Sequence, residues 1–353
     1  MKKVNVFSLG FIYAGCFLGA GCVSGQELMQ FFGSFGIRGF FGVLISVIIQ
    51  FALSVIVFKY VHKTKTTEFD RIVVKPDIPL LRAVVGITAA FFMYGVVIIM
   101  SAGAGELAER AFGIPLFVGC GVFCLVLSLL TIYGVDGIIP VLSRIVPILV
   151  AGTVCISIVC ILKSNILEFD YVNYFNSSQN PLLGNWLFSS ITYVSYNLFL
   201  SIAIIVPIAE RTNYKTIVPG VLFGCLILLL VIYSILGAIF SDISVSAKEL
   251  PMLELAYNIS IKVGIIYSLL LLLGMFVAAL SCFVAVLEYG NNKWNFSKNK
   301  KITIIFLLGV LAWLLSLVGF GRLIGIVYPI CGYFGFISII GTIINYINSK
   351  DNV

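Results

Sequence analysis

The sequence contains very little charge for its length. Only 10% of its 353 residues are Asp, Glu, Lys or Arg, whereas 61% are hydrophobic. A soluble domain has about 25% charged residues, which it needs to cover a surface that faces water. The composition therefore excludes an ordinary soluble protein and predicts an integral membrane protein whose main partner is the lipid bilayer.

The sequence also lacks the residues of common catalytic and metal sites. Its single histidine, His62, lies in a charged segment, which excludes paired-histidine zinc motifs and a Ser-His arrangement inside the membrane. The nine cysteines lie in apolar runs and form no CxxC pair, so we expect small apolar side chains rather than disulfides or metal ligands. We therefore expect no enzyme, no metal, no cofactor other than a coupling ion, and no nucleic acid partner.

Ten uncharged apolar runs resemble membrane spans, each of which needs about 20 residues. The first run follows Lys2 and Lys3 as a secretory leader would, but it continues past Glu27 to Phe35 and nine further runs follow. We therefore interpret it as a membrane helix and the chain as an all-α protein with ten transmembrane helices. The runs cover residues 4–26, 39–58, 83–105, 114–133, 145–162, 185–209, 216–241, 263–287, 302–321 and 323–349.

The distribution of basic residues predicts the topology. With Lys2 and Lys3 in the cytoplasm, sixteen of the 22 lysine and arginine residues fall on the cytoplasmic side, as the positive-inside rule requires. Both termini are then cytoplasmic. This bias also explains most of the net charge of +7, so the charge does not indicate nucleic acid binding.

The ten spans divide into two sets of five. Residues 1–162 are predicted to form the first five-helix repeat, residues 163–184 a polar extracellular loop, and residues 185–353 the second repeat with a short cytoplasmic tail. The second set begins on the opposite side of the membrane from the first, as an inverted repeat of secondary transporters requires. The two halves share no convincing repeat of residues.

The first span contains the most informative motif, GAGCVSGQE at residues 19–27. Its three glycines each disfavour a helix by about 1 kcal/mol relative to alanine, and they predict a break. Ser24 and Glu27 match the Ser-x-x-Glu capping box, so a second half-helix should begin at about Gly25. Its free amides would bind an anion such as a carboxylate, and carbonyls at the end of the first half-helix would face a cation. The candidate substrate-binding residues are Gly19, Ala20, Gly21, Ser24, Gly25, Gln26 and Glu27.

Two alternatives stay open for this motif. One alternative is that the glycines serve only close helix packing, as small residues do in membrane proteins. Glu27 is explained either by capping, which needs no transport chemistry, or by carrying a proton or binding a ligand, the usual role of an acid inside a span.

Polar residues near the middle of two other spans are further candidates for substrate binding. Ser195, Tyr196 and Asn197 lie at the centre of the sixth span and could hydrogen-bond a substrate or satisfy an unwound turn, although no glycine accompanies them. In the third span, Tyr94 and Ser101 are seven residues apart and share a helix face. Interhelical packing is the alternative for all five.

The eighth and tenth spans hold two more patterns. Ala278, Ser281 and Cys282 have the spacing i, i+3, i+4, which places a hydroxyl and a thiol on one helix face. Tyr328 and Pro329, followed by small residues, predict a kink in the tenth span. Packing is again the alternative.

The motifs GAG at 19–21, SGQE at 24–27 and FFG at 31–33 resemble the opening of the YkvI-like bacterial membrane proteins. These proteins are similar to the amino acid–polyamine–organocation superfamily with the LeuT-type fold. The resemblance covers the whole chain. It implies a five-plus-five inverted repeat with broken helices 1 and 6, and a central site between the first, third, sixth and eighth spans.

The resemblance also implies ligands for a coupling ion. In sodium-coupled members, carbonyls of the first span and small or hydroxyl residues of the eighth span hold one ion; the matching residues here are Gly19, Cys22, Ala278, Ser281 and Cys282. A thiol at Cys282 is a poor ligand for a hard cation. The lysine that some proton-coupled members carry in the fifth span is absent from residues 145–162. Na⁺ and H⁺ both stay open.

Two functions follow from this reading. The first is a secondary active transporter in the bacterial inner membrane, which moves a small solute such as an amino acid or related amine by ion-coupled alternating access. The alternative is a nutrient or germinant-type receptor that binds a small amino acid without net transport. The loops leave no room for a large signalling domain, so a receptor would need partner subunits. The oligomeric state is not indicated.

Overall fold

The computed structural model describes residues 5–64, 72–74, 78–133, 138–164, 179–210 and 212–350. These residues form helices joined by short connections, with 3₁₀ turns at Gly33–Phe35 and Ile243–Ala247. Most of the predicted extracellular loop, residues 165–178, and residues 65–71 and 75–77 of the loop between the second and third spans lie outside the described residues. The helices are α1 (Val6–Phe17), α2 (Ala20–Val23), α3 (Gln26–Phe31), α4 (Ile37–Thr64), α5 (Pro79–Phe112), α6 (Leu116–Tyr133), α7 (Ile138–Lys163), α8 (Trp186–Glu210), α9 (Tyr214–Ser241), α10 (Pro251–Ile259), α11 (Ile261–Trp294), α12 (Lys298–Ser316) and α13 (Phe320–Lys350).

The helices match the ten predicted spans. Of the described helices, α4, α5, α9, α11, α12 and α13 are long and apolar enough to cross a membrane. Shorter apolar stretches lie in α1, α6 and α7, and α8 covers the predicted sixth span. The prediction of an all-α protein with ten spans is confirmed.

The first span is broken where the glycines predict it. The helix α1 ends at Phe17, α2 lasts four residues, and Gly25 has a left-handed backbone with a φ of 87° before α3 begins. Glycine takes this conformation without the steric cost that a Cβ atom brings. Residues 20–25 are all buried, as non-helical backbone at membrane depth must be.

The sixth span is continuous, so the expected break in helix 6 is wrong. The helix α8 runs without interruption from Trp186 to Glu210. Its centre contains neither glycine nor proline, so nothing in the backbone forces it to unwind. Ser190 and Ser201 instead donate their hydroxyls to carbonyls of the preceding turn, at 2.6 and 3.2 Å.

The opening span of each half packs against the other half. The helix α1 packs on α9, and α8 packs on α4, so the first span of each half lies against the second span of the other half. The two 34-residue helices α5 and α11 also pack along each other. An inverted five-plus-five repeat predicts these pairings, because equivalent helices take equivalent positions in the two halves.

The short helix α10 covers the break in the first span. The amide of Met252 donates to the carbonyl of Ser24 at 2.9 Å, and Met252 is fully buried. Two hydrogen bonds of 2.5 and 2.8 Å join Arg110 at the end of α5 to Glu254 on α10. We call the side of the bundle that carries α10 the loop face.

Candidate functional site

Glu27 lies in the first turn of α3 with 3% of its surface exposed. The hydroxyl of Tyr196 on α8 donates to its Oε1 atom. The other carboxylate oxygen lies beside Gly21, where an added Cβ atom would approach it to 2.8 Å. The side chain therefore joins the first span to the sixth, and it fills the room that the missing side chain of Gly21 leaves.

The predicted capping box is wrong. Gly25, and not Ser24, is the N-cap of α3, and it makes no side-chain cap. The Ser24 hydroxyl donates to the carbonyl of Gly21 at 2.9 Å and accepts from the amide of Gln26 at 3.4 Å. The Glu27 carboxylate turns to Tyr196 instead of to the Ser24 amide. Capping therefore does not explain the acid.

The anion site predicted at the start of the second half-helix stays a prediction, but the four amides of the break that precede α3 are bonded within the segment. The amides of Cys22 and Val23 donate to the carbonyl of Gly19 at 3.0 and 3.1 Å, and that of Ser24 donates to Ala20 at 2.9 Å. The amide of Gly25 donates to Cys22 at 3.0 Å. Amides that are already bonded within the segment offer no open cradle to a carboxylate.

An aromatic cluster surrounds the bond between Glu27 and Tyr196. The ring of Tyr196 stacks on Tyr328 of α13, with centroids 4.7 Å apart and planes 11° apart. Phe31 lies 5.2 Å and Tyr193 lies 5.5 Å from the same ring. A carboxylate beside electron-rich ring faces is an arrangement that attracts an ammonium group or another cation.

Of the three polar residues predicted in the sixth span, only Tyr196 contacts Glu27. The hydroxyl of Ser195 donates to the carbonyl of Gly332 on α13 at 2.7 Å, so it holds two helices together. Asn197 lines a small cavity whose lining does not include Glu27. Its volume of about 10 Å³ is room for about one water molecule. Gln50 of α4 lines the same cavity, and neither polar atom of its side chain has a partner.

The third-span candidates face away from Glu27. The hydroxyl of Tyr94 donates to the carbonyl of Leu308 on α12 at 2.6 Å. Ser101 donates to Val97 in its own helix at 2.8 Å and lies 3.3 Å from the thiol of Cys124 on α6. Their shared face therefore packs on the fourth and ninth spans, and the expectation that they line the central site is wrong.

The binding of a coupling ion at the residues of the first and eighth spans stays a prediction. Gly19 is extended, with φ −69° and ψ 167°, and Cys22 is fully buried. Ser281 is half-buried, and its hydroxyl donates to the carbonyl of Val277 at 2.9 Å. The half-buried residues beside it are Ala278 and Cys282.

Tyr267 of α11 makes the contact between the first and eighth spans that the sequence reasoning missed. Its hydroxyl donates to the carbonyl of Val23 at 2.7 Å and lies 3.1 Å from the hydroxyl of Thr153 on α7. The residue is 1% exposed. A tyrosine in an apolar span only weakly predicts an interhelical hydrogen bond, because the tertiary structure decides which carbonyl its hydroxyl reaches.

Two members of the aromatic cluster were also missed. Tyr193 precedes Tyr196 by three residues and therefore shares its helix face, which is a signal that the sequence did contain. Phe31 follows Glu27 by four residues on α3 and lies on the same face for the same reason. The sequence predicts a kink at Tyr328 and Pro329, but it does not predict that the ring of Tyr328 stacks on Tyr196.

Comparisons with known proteins agree with this architecture. No family model matches the chain. The membrane protein YkvI of Bacillus subtilis (strain 168) is 28% identical over 345 residues, which cover 94% of this chain and 93% of the relative. The protein YyaD of the same organism is 25% identical over 330 residues, which cover 90% of each chain. Both relatives are uncharacterized.

Three solved structures share the fold. The inward-facing form of Mhp1 has a TM-score of 0.65 at 13% identity over 95% of this chain and 74% of Mhp1. MhsT in complex with L-phenylalanine has a TM-score of 0.64 at 15% identity over 94% and 87%. An outward-open Na⁺-coupled sialic acid symporter has a TM-score of 0.61 at 15% identity over 89% and 72%.

The fold is thus that of the LeuT-type membrane proteins, a class defined by ten spans, a five-plus-five arrangement and a broken first helix. Over nearly its whole length the chain is similar to YkvI.

Proposed function

We propose that the chain is a secondary transporter for a small amino acid or related amine, driven by a coupled ion. The observation that carries this proposal is the hydrogen bond from Tyr196 to Glu27 at the break of the first span. It joins the opening helices of the two repeats, whose relative movement gives alternating access in transporters of this architecture. The similarity of the fold to that of the Na⁺-coupled sialic acid symporter also supports a secondary transporter.

The chemistry of the site favours a cationic group on the substrate. A buried carboxylate needs a partner of opposite charge or a proton, because its desolvation is costly. An ammonium group that binds Glu27 would share the carboxylate with the Tyr196 hydroxyl, which holds it in place, and would lie near the faces of Tyr196 and Tyr328. Binding would therefore bring the substrate amine into the interface between the repeats.

The loop face supplies a gate for this movement. The helix α10 is fixed to the break by the bond from Met252 to Ser24 and to α5 by the pair of Arg110 and Glu254. A solute that enters from the loop face must displace α10 before it reaches Glu27. With the lysine and arginine bias, the loop face is extracellular in this proposal and both termini lie in the cytoplasm of a bacterial cell.

The test is uptake into proteoliposomes that contain the full chain. Each of the twenty amino acids, radiolabelled, is offered with an inward H⁺ gradient, an inward Na⁺ gradient or neither. We expect at least one amino acid to accumulate with one gradient only. Glu27→Gln should abolish that accumulation, while Glu109→Gln, at an exposed acid of the same protein, should retain it.

The other outcomes decide between the candidates. Saturable binding of an amino acid without uptake under any gradient would favour the receptor. Absence of both binding and uptake for every amino acid would refute the proposal. Full gradient-driven uptake by Glu27→Gln would leave transport standing but remove Glu27 from its mechanism.

A further inference from the structure

The connection between α11 and α12 concentrates positive charge at the end of the bundle opposite the loop face. The helix α11 starts directly after α10 and ends 34 residues later at Trp294. Only three residues then lead to Lys298 at the start of α12, and both helices are long and apolar enough to cross a membrane. We call residues 291–301 the basic hairpin, and its lysines are Lys293, Lys298, Lys300 and Lys301.

These lysines have no acidic partner among the described residues. No Asp or Glu occurs between residues 289 and 350, and Lys293, Lys298 and Lys300 are exposed. The first turn of α12 holds three of the four lysines, contains no acid, and has no side-chain cap at Ser297. Positive charges at this end of a helix oppose its macrodipole. The basic hairpin therefore carries charge that an external anion would stabilise.

Two stacked aromatic rings lie at the centre of the basic hairpin. The rings of Trp294 and Phe296 have centroids 6.0 Å apart and planes 26° apart, and 59% of Trp294 is exposed. The Nζ atom of Lys293 lies 5.7 Å from the centroid of the Trp294 ring. That of Lys300 lies 5.8 Å from the centroid of the Phe296 ring. Both distances allow a cation–π interaction, which keeps two of the ammonium groups beside the rings.

Hydrogen bonds and packing hold the turn in shape. The side chain of Asn291 accepts from the amide of Phe296 at 3.2 Å, and its carbonyl accepts from the amide of Asn295 at 2.8 Å. Asn295 has a φ of 44°, a left-handed conformation in which asparagine is enriched. The ring of Phe296 packs on Gly290, where an added Cβ atom would approach it to 3.2 Å. The rings and the lysines around them therefore lie on a defined turn.

The position of the basic hairpin favours a lipid headgroup as the anion. An exposed tryptophan at the end of a spanning helix is typical of the membrane–water interface, where phospholipid phosphates also lie. Clusters of lysine next to a spanning helix attract anionic lipids. The positive-inside rule explains the side of the membrane on which the lysines lie, but it does not explain the stacked rings or the grouping of four lysines in one turn.

We propose that the basic hairpin binds the headgroup of an anionic phospholipid, such as phosphatidylglycerol, in the leaflet opposite the loop face. The ammonium groups of Lys298, Lys300 and Lys301 would contact the phosphate, and the rings of Trp294 and Phe296 would lie against the glycerol backbone. The site is separate from Glu27, and the proposal does not depend on the proposed function.

Native mass spectrometry of the delipidated full chain tests the preference for charge. The protein in nonionic detergent is titrated with phosphatidylglycerol or with phosphatidylcholine of the same acyl chains. Each lysine near an anionic headgroup contributes about a fivefold gain in affinity. We expect the first phosphatidylglycerol to bind at least about tenfold more tightly than the first phosphatidylcholine, and the difference to shrink as the ionic strength rises.

Charge variants locate the site. Lys298→Gln, Lys300→Gln and Lys301→Gln together should remove the preference, whereas arginine at the same three positions should keep it. The matched control loses the same amount of charge at three exposed lysines on the side of the loop face and should keep the preference. Its substitutions are Lys163→Gln, Lys248→Gln and Lys262→Gln.

The fluorescence of Trp294 reports contact with lipid directly. In a Trp186→Phe and Trp313→Phe background, Trp294 is the remaining tryptophan of the three. Vesicles of phosphatidylcholine and phosphatidylglycerol carry bromine on the acyl chains of one lipid or the other, at the same mole fraction of brominated lipid. We expect brominated phosphatidylglycerol to quench Trp294 more strongly. This comparison of two lipids needs no lysine variant, so it decides even where a variant does not fold.

Four results would overturn the proposal. The first is equal affinity of the wild type for the two lipids, and the second is equal quenching of Trp294 by them. The third is a preference for phosphatidylglycerol that survives the triple glutamine variant or is lost to the same extent in the control. The fourth is displacement of phosphatidylglycerol by soluble glycerophosphate at the same concentration, which would assign the basic hairpin to free phosphate esters.

Discussion

Replacing Gly21 by alanine should displace the Glu27 carboxylate without adding or removing a polar group. The new Cβ atom would lie 2.8 Å from Oε2 of Glu27 and 3.5 Å from Cδ1 of Ile324. Favourable contacts between heavy atoms of this kind lie at about 3.5 Å, so the carboxylate must retreat by roughly 0.5–1 Å. It can do so because the obstructed atom is the end of a flexible side chain.

The displacement should weaken substrate binding. The retreat stretches the hydrogen bond from Tyr196 that holds the carboxylate in place. A displaced carboxylate then loses part or all of its bond to the substrate ammonium, which is worth about 1–3 kcal/mol. That loss corresponds to about a 5- to 150-fold rise in Kd for the amino acid that the wild-type protein transports. Dialysis measures Kd, and uptake into proteoliposomes should fall in parallel.

Gly19→Ala is the matched control in the same break. No heavy atom lies within 4 Å of the Cβ atom that it adds, and the backbone of Gly19 is one that alanine adopts. Its Kd should stay within about twofold of the wild type, since alanine keeps the backbone carbonyl that is predicted to face an ion and adds no contact.

A double-mutant cycle shows whether the effect of Gly21→Ala acts through the bond between Tyr196 and Glu27. In a Tyr196→Phe background that bond is already absent, so Gly21→Ala should add little. Additive losses in the double variant, or equal losses for Gly19→Ala and Gly21→Ala, would refute the reasoning.

Two other predictions concern stability in detergent. Tyr267→Phe leaves the carbonyl of Val23 at the end of α2 without its donor and should lower the free energy of unfolding by about 0.5–2 kcal/mol. Tyr94→Phe should lower it by less, because the carbonyl of Leu308 that Tyr94 bonds lies inside a regular helix. Equal losses for the two variants would contradict this expectation. Gly25→Ala combines a φ of 87° with a Cβ atom 2.7 Å from Ile239, so it should cost about 2–4 kcal/mol. Gly113→Ala, with a φ of 66° but open space around the new Cβ atom, should cost about 1–2 kcal/mol. Equilibrium unfolding in mixed micelles measures the free energy of unfolding of all four variants. A smaller loss for Gly25→Ala than for Gly113→Ala would contradict the expected steric overlap with Ile239.

The architecture of the chain was predictable because lipid imposes one-dimensional rules. A span needs about 20 apolar residues and must satisfy its own backbone, so apolar runs in the sequence become helices in the structure. The break at residues 18–25 could also be predicted from the local sequence, because Gly25 can take a left-handed backbone that other residues avoid. The break expected in the sixth span came from the resemblance and not from its residues, and α8 is continuous.

The partners of polar side chains could not be predicted in the same way. Ser195, Tyr196 and Asn197 are consecutive, yet they face α13, Glu27 and the cavity at Gln50 respectively. Successive residues on a helix point about 100° apart, so only the positions of the neighbouring helices decide which of them reaches the site.

The sequence by itself therefore determined that this protein lies in the membrane, how many times it crosses, and where its first helix breaks. The tertiary structure decided what Glu27 does. A capping bond and a bond to Tyr196 compete for the same carboxylate, and the sequence contains the partners for both. The local bond is lost because Gly25 takes the N-cap position and α8 brings a tyrosine hydroxyl within reach, and that depends on contacts between residues 169 positions apart.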